Sequence, residues 1–420
     1  MGDLDRMDGG PRSAIVVGAG IVGLSTAWFL QERGVRVTVV DRAGIAAGSS
    51  WGNAGWLSPG LSIPLNEPAV LRYGLRSLFD RQAPLHVPAT LDPRLWHFLA
   101  RFAANCTHRS WTRAVRANLP FNEECLEAFD VLTSNGVDAP TIDAPITALF
   151  ETAAQARTLA AELNRLGDAG QRVSWTQLSG AALRERFPQV TDRIGTGIRI
   201  DGQRYVDPGR FVESLARAVV GRGGTIRHRF DVTAVRRHAN AYTVQSENGQ
   251  TVNANAVVLA TGAWLGGFAR KWGVRVPVRA GRGYSFTVPT DQPVPGPMYL
   301  PDIRVACTPY QGGLRVAGTM EFRPPDDPLY PARVDAIIAS ARPLLHGLRW
   351  EERTDTWVGS RPVSADGRPV IGEIGAAGLY VAGGHGMWGL THGPVTGRLL
   401  AEQITTGKQP EALRPFDPLR

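Results

Sequence analysis

The sequence predicts an α/β protein in which a nucleotide-binding lobe on a parallel sheet is interleaved with a second lobe on a mixed or antiparallel sheet. Three observations support this fold class. A glycine-rich strand–turn–helix–strand unit opens the chain at 13–42, a second strand–turn–helix unit lies at 379–404, and the segments between them alternate buried strands with helices. The length of 420 residues is also too great for one simple core.

The opening unit has the pattern of a dinucleotide-binding βαβ unit. An apolar run at 15–17 predicts a parallel strand covered on both faces, a helix is predicted over 24–33, and a second strand over 35–40 ends at Asp41. The residues between the first strand and the helix have the spacing G-x-G-x-x-G and are Gly18, Gly20, Ile21, Val22 and Gly23.

Each part of this unit has a physical role. Gly18 permits the tight turn, Gly20 lets a pyrophosphate approach the backbone, and Gly23 lets the helix pack closely on the sheet. The helix N-terminus offers free N–H groups to phosphates. Asp41 can accept hydrogen bonds from ribose hydroxyls and would repel a 2′-phosphate. The unit therefore predicts a bound dinucleotide without indicating which one.

The charge balance is basic but does not predict nucleic-acid binding. The formal net charge is +8 and the sequence pI is about 9.8, with arginine supplying nearly all the positive charge. The arginines are scattered, and their densest groups are the short ones at 227–229 and 236–237. Because no long basic tract is present, we expect a surface that suits anionic ligands and solubility.

The cysteines and the N-terminal residues indicate the cellular compartment of the protein. Cys106, Cys125 and Cys307 lie far apart in no metal-ligand spacing, which favours inert thiols in a reducing compartment and no metal site. Residues 1–12 are polar and are expected to form a disordered tail. No window reaches the roughly 20 apolar residues of a membrane span. We expect a cytoplasmic protein, with peripheral attachment to the inner membrane left open.

The segment after Asp41 is predicted to be a loop that lies against a ligand. Five glycines fall between 44 and 60, with the hydroxyl side chains of Ser49 and Ser50 among them. Trp51 and Trp56 argue against a mobile surface connector, because a loop with such side chains is usually packed on something.

The stretch 61–140 is predicted to be a helical insertion that covers the sheet. Helical spacing of apolar residues recurs at 95–102 and 119–132, and Pro120 is expected in the first turn of the second helix or just before it. A strand at 147–150, a helix at 153–166 and another short helix at 177–187 follow.

The remaining segments return to the α/β style. Asp207 is a predicted N-cap, three short strands form a meander over 232–255, and a buried strand from Ala256 ends at Thr261 and Gly262. Strands between 276 and 318 predict a mostly antiparallel sheet as the floor of the second lobe. Near the end, a strand at 379–382 runs through a glycine turn at 383–389 into a helix, which is again an anion-stabilising arrangement. Both chain ends are therefore expected to meet on one cofactor.

At this point the sequence resembles the FAD-dependent D-amino acid oxidase superfamily, and most of all its bacterial D-amino acid dehydrogenases, with glycine oxidase-like enzymes close by. The likeness rests on the opening unit, on Ser49-Ser50 with 53–55, on the Gly-Ser-Arg-Pro segment at 359–362 with 366–372, and on the turn at 384–391. It implies a GR2-type flavoprotein: a Rossmann-like FAD-binding domain at 13–60, 200–270 and 355–410, and a substrate domain at 61–199 and 271–354.

The resemblance implies non-covalent FAD, since no cysteine follows position 307. Asp41 would hold the ribose, Val232 the adenine, and Thr261 and Gly262 would lie near the pyrophosphate, while the turn at 386–391 would aim helix N–H groups at the flavin. The cofactor-binding residues implied by the fingerprint and the resemblance are Gly18, Gly20, Ile21, Val22, Gly23, Asp41, Arg42, Ser49, Ser50, Asn53, Ala54, Gly55, Val232, Thr261, Gly262, Arg361, Gly386, Met387, Trp388, Gly389, Leu390 and Thr391.

The resemblance also implies the chemistry. Arg361 would pair with a substrate carboxylate, for which a planar guanidinium is suited, and Tyr284 would either line the pocket or pack in the core. His385 and His392 are not expected to act as bases. The predicted reaction is hydride transfer from the Cα of a D-amino acid to flavin N5, followed by hydrolysis of the imine to a keto acid.

Two alternatives stay open at this stage. The first is an oxidase or dehydrogenase of secondary amines or cyclic imino acids, such as sarcosine, D-proline or hydroxyproline. The second is a basic nucleic-acid-associated flavoprotein, which only the pI favours. The sequence also leaves open whether oxygen, a quinone or a carrier protein reoxidises the flavin.

Overall fold

The computed structural model describes residues 10–68, 70, 84–88 and 90–420. Most of the predicted tail at 1–12 therefore lies outside the described residues. The strands, in chain order, are β1 (Ser13–Val17), β2 (Arg36–Val40), β3 (Trp56–Leu57), β4 (Leu85–His86), β5 (Ile142–Asp143), β6 (Ile146–Phe150), β7 (Trp175–Ser179), β8 (Thr196–Ile200), β9 (Arg204–Tyr205), β10 (Thr225–Arg227), β11 (Val232–His238), β12 (Ala241–Ser246), β13 (Thr251–Ala254), β14 (Ala256–Leu259), β15 (Val278–Pro289), β16 (Met298–Leu300), β17 (Val305–Tyr310), β18 (Gly313–Phe322), β19 (Thr354–Ser364), β20 (Val370–Glu373) and β21 (Leu379–Gly383).

The α-helices, in chain order, are α1 (Ile21–Glu32), α2 (Pro93–Asn105), α3 (His108–Ser134), α4 (Ala153–Asp168), α5 (Gly180–Arg186), α6 (Pro208–Gly221), α7 (Leu265–Ala269), α8 (Pro331–Ala341) and α9 (Gly389–Thr406). No helix in the described ranges is both long and apolar enough to cross a lipid bilayer.

One sheet carries the opening and closing units of the chain side by side. Its strand order is β10-β2-β1-β14-β21-β20, and all neighbours are parallel except the β20–β21 pair. Helices α1, α6 and α9 contribute to the apolar core on one face, and the meander β11–β12–β13 contributes to the core on the other. Strands covered on both faces explain the apolar runs at 15–17 and 256–259.

A second, larger sheet has the order β19-β15-β18-β17-β16-β6-β8-β7, with β4 beside β18. Its pairs are antiparallel apart from β16–β6 and β18–β4. This is the mixed sheet predicted for the second lobe. Strand β19 belongs to it, so 354–364 lies with the large sheet although the predicted boundary places 355–410 in the FAD-binding domain.

Two predicted elements differ from the structure. Helix α3 runs from His108 to Ser134 through Pro120, where the sequence predicted a first turn or a break. Buried side chains on both sides of the proline, including Trp111 and Phe121, hold the two halves in one helix despite the lost N–H donor. The predicted helix at 177–187 is strand β7 followed by the short helix α5, because 175–179 pairs with β8 along the sheet edge.

Candidate functional site

The opening glycines are required by close backbone contacts. A Cβ on Gly18, which has φ +117°, would lie 2.3 Å from the Ala260 carbonyl oxygen, and a Cβ on Gly23 would lie 2.0 Å from the Gly18 carbonyl oxygen. The first contact brings β14 against the turn, and the second brings α1 onto it. These positions accept no side chain, and the turn leaves its backbone open to a ligand.

Asp41 closes the turn at the end of β2. One carboxylate oxygen accepts a hydrogen bond from the Ala19 N–H (2.9 Å), and the other accepts from Ala43 (2.8 Å) and Gly44 (2.9 Å). These bonds fix the carboxylate at the edge of the glycine turn. Each oxygen keeps acceptor capacity for hydroxyl groups of a ligand.

A cavity of about 390 Å³ extends along this turn and reaches the turn before α9. It is lined by residues of β1, β2, β11 and β21, by the segment after β14 and by the loop after β2. The predicted cofactor-binding residues that line it are Gly18, Gly20, Ile21, Val22, Gly23, Asp41, Arg42, Ser49, Ser50, Asn53, Val232, Thr261, Gly262, Arg361, Gly386, Met387, Gly389 and Leu390.

The donors around this first cavity fit a long dinucleotide with phosphates in its middle. The buried Thr261 hydroxyl lines the cavity and has no hydrogen-bond partner among the described residues. The N-terminal end of α9, at Gly389, opens onto the same space as that of α1, at Ile21. Two helix N-termini and an orphaned hydroxyl favour negative charge and oxygen acceptors at the cavity wall.

Arg42 and Trp264 close the Asp41 end of the cavity from the large-sheet side. Arg42 lies 2.5 Å from Asp326, and its guanidinium stacks 3.9 Å above the Trp264 ring. The Trp264 indole N–H also donates to Asp326 at 2.9 Å. The pair is partly exposed, so its effect is to place Arg42 at the cavity rather than to stabilise the fold.

Arg361 lies on β19 and lines both the first cavity and a second one. Its guanidinium sits directly over Gly283 of β15, where a Cβ would come within 2.1 Å of Nη2. Nη1 donates to the Thr319 carbonyl at 2.8 Å. No acid of the described chain forms a salt bridge with Arg361, and burial lowers the pKa of the guanidinium to about 10, so it remains a cation.

Thr319 is a strained residue beside Arg361. Its φ of +60° is unusual for a β-branched side chain, and it lies where β18 passes Arg361. Its hydroxyl lines the second cavity, is buried and has no hydrogen-bond partner among the described residues. Strain and an orphaned hydroxyl at one residue are features of ligand-binding sites.

The second cavity has a volume of about 250 Å³ and adjoins the first at Arg361, Met387, Ser49 and Asn53, which line both. Its wall is largely aromatic and aliphatic. Further wall residues include Trp56, Leu61, Ile63, Phe102, Leu159, Met320, Phe322, Trp357 and Trp388. The Trp357 indole lies against Gly52 and Gly359, where a Cβ would approach the ring within 2.1 Å and 1.7 Å.

The loop after β2 is held to the large sheet through its carbonyl groups. Ser285 donates to the Gly52 carbonyl (2.8 Å), and Thr308 donates to the Ala54 carbonyl (2.6 Å). The buried Arg315 reaches the Trp51 carbonyl at 3.4 Å. The packed loop predicted from Trp51 and Trp56 is therefore confirmed, but the three sheet side chains that hold it carry no signal in the sequence.

Four predicted cofactor-binding residues do not line the first cavity. Ala54 and Trp388 line the second, and the Trp388 indole donates to the Ile63 carbonyl at 2.9 Å. Gly55 supports the turn at φ +85°, because a Cβ there would lie 2.3 Å from the Val206 carbonyl oxygen. The Thr391 hydroxyl bonds to the Trp56 backbone at 3.2 Å. These residues shape the loop and the helix start rather than face the first cavity.

Tyr284 packs in the core of the large sheet and lines neither cavity. It is 1% exposed, and its hydroxyl donates to Glu321 at 2.8 Å. Burial, together with this bond to Glu321, raises the pKa of Tyr284 well above its usual value. The sequence left two roles open for Tyr284, and the structure supports core packing. The assignment of Tyr284 to the catalytic residues is therefore corrected.

The two histidines near the turn are held neutral. Burial lowers the pKa of His385 to about 4 and that of His392 to about 3. His385 Nε2 lies 2.9 Å from the Thr396 hydroxyl, and His392 Nε2 donates to the Asn122 side-chain carbonyl at 2.7 Å. His385 also lies in the wall of the first cavity.

The three cysteines are free and buried, and burial raises the pKa of Cys307 to about 12. No cysteine of the described residues lines either cavity. In the same part of the chain, no group of three or more His, Cys, Asp or Glu side chains is close enough to hold a metal ion.

Comparison with known proteins identifies the family and the fold of this chain. A family model described as FAD dependent oxidoreductase matches residues 13–403. A D-amino acid dehydrogenase of Methylobacterium sp. (strain 4-46) is 30% identical over 94% of this chain and 96% of its own length. Among solved structures, glycine oxidase from Geobacillus kaustophilus superposes with a TM-score of 0.74 at 22% identity over 98% of each chain. Iminodiacetate oxidase from Chelativorans sp. BNC1 superposes with a TM-score of 0.71 at 22% identity over 96% of this chain and 98% of its own.

The chain belongs to the D-amino acid oxidase-type family of FAD-dependent oxidoreductases. The fold class and FAD as cofactor, both predicted from the sequence, are confirmed.

Proposed function

We propose that the protein oxidises a D-amino acid to the imino acid, with FAD held non-covalently in the first cavity and the substrate in the second. The observation that carries this proposal is the position of Arg361. It is a cation with no acidic partner among the described residues, and it lies where the two cavities meet.

The guanidinium of Arg361 offers the substrate carboxylate two parallel N–H donors. One face of its guanidinium rests on Gly283 and Nη1 is held by the Thr319 carbonyl, so the remaining donors are fixed in direction. A fixed planar fork binds a carboxylate in two bonds and orients the attached Cα. The orphaned Thr319 hydroxyl is placed to add a third bond to the same group.

The FAD cofactor, when bound, supplies the acceptor for the hydride of the Cα–H bond. The role of the chain is to place that Cα and to keep water out. Aromatic side chains such as Trp56, Trp357 and Trp388 line the substrate cavity, and such a wall excludes water from the reacting centre.

Neither His385 nor His392 is suited to be a general base, because both are buried and hydrogen-bonded and their lowered pKa makes each a weak base. The substrate amine must therefore react in its neutral form. This fits a reaction whose rate depends on positioning and on the ionisation of the substrate itself.

The D configuration and the primary amine are supported by the curated relatives named D-amino acid dehydrogenase. The alternative of a secondary amine or cyclic imino acid is favoured by the structural likeness to iminodiacetate oxidase and by the aromatic wall of the second cavity. Oxygen, a quinone and a carrier protein all stay open as the acceptor that reoxidises the flavin, and a cytoplasmic location stays a prediction from the sequence.

Anaerobic reduction of the bound flavin tests the proposal. D-amino acids, their L enantiomers, glycine, sarcosine and D-proline would each be mixed with the holoenzyme, and the loss of flavin absorbance followed. We expect D-amino acids to bleach the flavin faster than the L forms and faster than secondary amines. Reduction by secondary amines alone would select the alternative, and reduction by none would contradict both.

A further inference from the structure

Part of the wall of the second cavity is not shared with the first cavity. A cluster of polar side chains interrupts the otherwise apolar surface of this part. Glu67, Glu162, Tyr299 and Arg304 line this part of the cavity together with Trp56. At about 250 Å³ the cavity holds roughly twenty water-sized spheres, far more than the side chain of glycine or alanine would fill. A substrate that uses this space has a long side chain whose end reaches the polar group.

The two glutamates in this group differ in their partners. Glu67 pairs with Arg165 at 2.8 Å, and Arg304 is hydrogen-bonded to the Tyr299 hydroxyl. Glu162, on α4, is hydrogen-bonded to Glu67, and Arg304 and Arg165 act on it at longer range without forming a salt bridge with it among the described residues. Its carboxyl therefore has no cation of the described chain within ion-pair distance.

Burial, and after it the neighbouring Glu67, raise the pKa of Glu162 to about 7 against the opposing effect of Arg304 and Arg165. A carboxyl in this condition gains most from a cation that enters the cavity, because the cation favours the ionised form. The rings of Trp56 and Tyr299, 5.6 Å apart at their centroids, add aromatic surface on which a cation can rest.

We infer that Glu162 forms a subsite for a cationic side-chain end, which makes basic D-amino acids the substrate class of this enzyme. Arg361 holds the α-carboxylate at the junction of the cavities, and Glu162 receives the distal ammonium or guanidinium. This inference rests on the proposed function. It adds Glu162 as a specificity-determining residue that no sequence motif indicated.

The test compares D-lysine with D-norleucine, which has the same carbon chain without the ammonium group. Their rates of anaerobic flavin reduction are measured for the wild type, for Glu162→Gln, and for Asp168→Asn, which removes an exposed acid at the end of the same helix. We expect the wild type to prefer D-lysine. Glu162→Gln should lower the lysine-to-norleucine ratio of kcat/KM about 10-fold or more, because the negative charge that pairs with the ammonium group is lost. Asp168→Asn should leave the ratio unchanged.

A second measurement needs no variant and so does not depend on the folding of Glu162→Gln. In the wild type the ratio should rise with pH around 7, as Glu162 ionises in the presence of Glu67, Arg165, Arg304 and Tyr299. A lysine-to-norleucine ratio of kcat/KM that does not change with pH, or that is the same in Glu162→Gln and wild type, overturns the inference. Oxidation of D-norleucine in the same experiment would still support the proposed function. If neither amino acid nor any other of the panel reduces the flavin, it is the proposed function that fails.

Discussion

Gly283→Ala tests the position of Arg361 without changing any charged group. The added Cβ would lie 2.1–2.3 Å from Nη2, Cζ and Nη1 of Arg361, and ordinary contact begins at 3.4 Å, so the guanidinium must move by about 1.3 Å. A shift of about 1 Å in a positioning group can cost 100-fold in rate. We therefore expect kcat/KM for the best D-amino acid to fall about 100-fold, mainly through KM, with FAD still bound.

The assay is steady-state oxidation with an artificial electron acceptor, with the flavin content measured on the same sample. Gly167→Ala is the matched control, because a Cβ on Gly167 of α4 meets nothing within 4 Å. Arg361→Ala should raise KM at least as far as Gly283→Ala. Unchanged kinetics in Gly283→Ala with full flavin content would refute the view that Arg361 anchors the substrate at this place.

Three further predictions follow from single contacts. Asp41→Ala removes the acceptor of three backbone N–H groups at the glycine turn and should weaken FAD binding by about 10-fold or more, measured by titrating apoprotein with FAD. Tyr284→Phe removes the hydrogen bond to Glu321 and should lower the free energy of unfolding by about 1–3 kcal/mol with KM unchanged. A raised KM would instead show that Tyr284 contributes to substrate binding. His385 has a folded pKa of about 4 against 6.5 unfolded, so its stabilising effect is complete above pH 6.5 and is lost as pH falls towards 4, by about 3 kcal/mol. Thermal unfolding between pH 4.5 and 8 measures this loss, and His385→Gln should make the profile less steep, with the contribution of His392 remaining.

The parts of the fold that could be predicted from the sequence are those fixed by local rules. The glycine spacing at 18–23 and the turn at 383–389 each demand a conformation that few residues allow, so their place in the nucleotide-binding sheet could be inferred directly. Pro120 misled the prediction because local propensity disfavours it in a helix, whereas the packing of Trp111 and Phe121 on the two sides decides the outcome.

The site could be predicted only in part for the same reason. Arg361 carries a motif, but the features that define its environment, Gly283 beneath it and the strained Thr319 beside it, come from other strands. The wall around Glu162 is assembled from a helix, a strand and a loop that lie far apart in sequence. The resemblance left Tyr284 either in the pocket or in the core, and only the fold shows that its side chain points to Glu321 in the core.

The central claim is that Arg361 at the junction of two cavities holds an amino acid carboxylate against bound FAD. Anaerobic titration of the wild-type and Arg361→Ala holoenzymes with D-lysine tests this most directly. The account predicts bleaching of the wild-type flavin, with the bleaching rate half-saturated at a D-lysine concentration about 100-fold higher in Arg361→Ala at equal flavin content. Equal half-saturation in the two proteins, or a wild-type flavin that dithionite bleaches and no amino acid does, would contradict it.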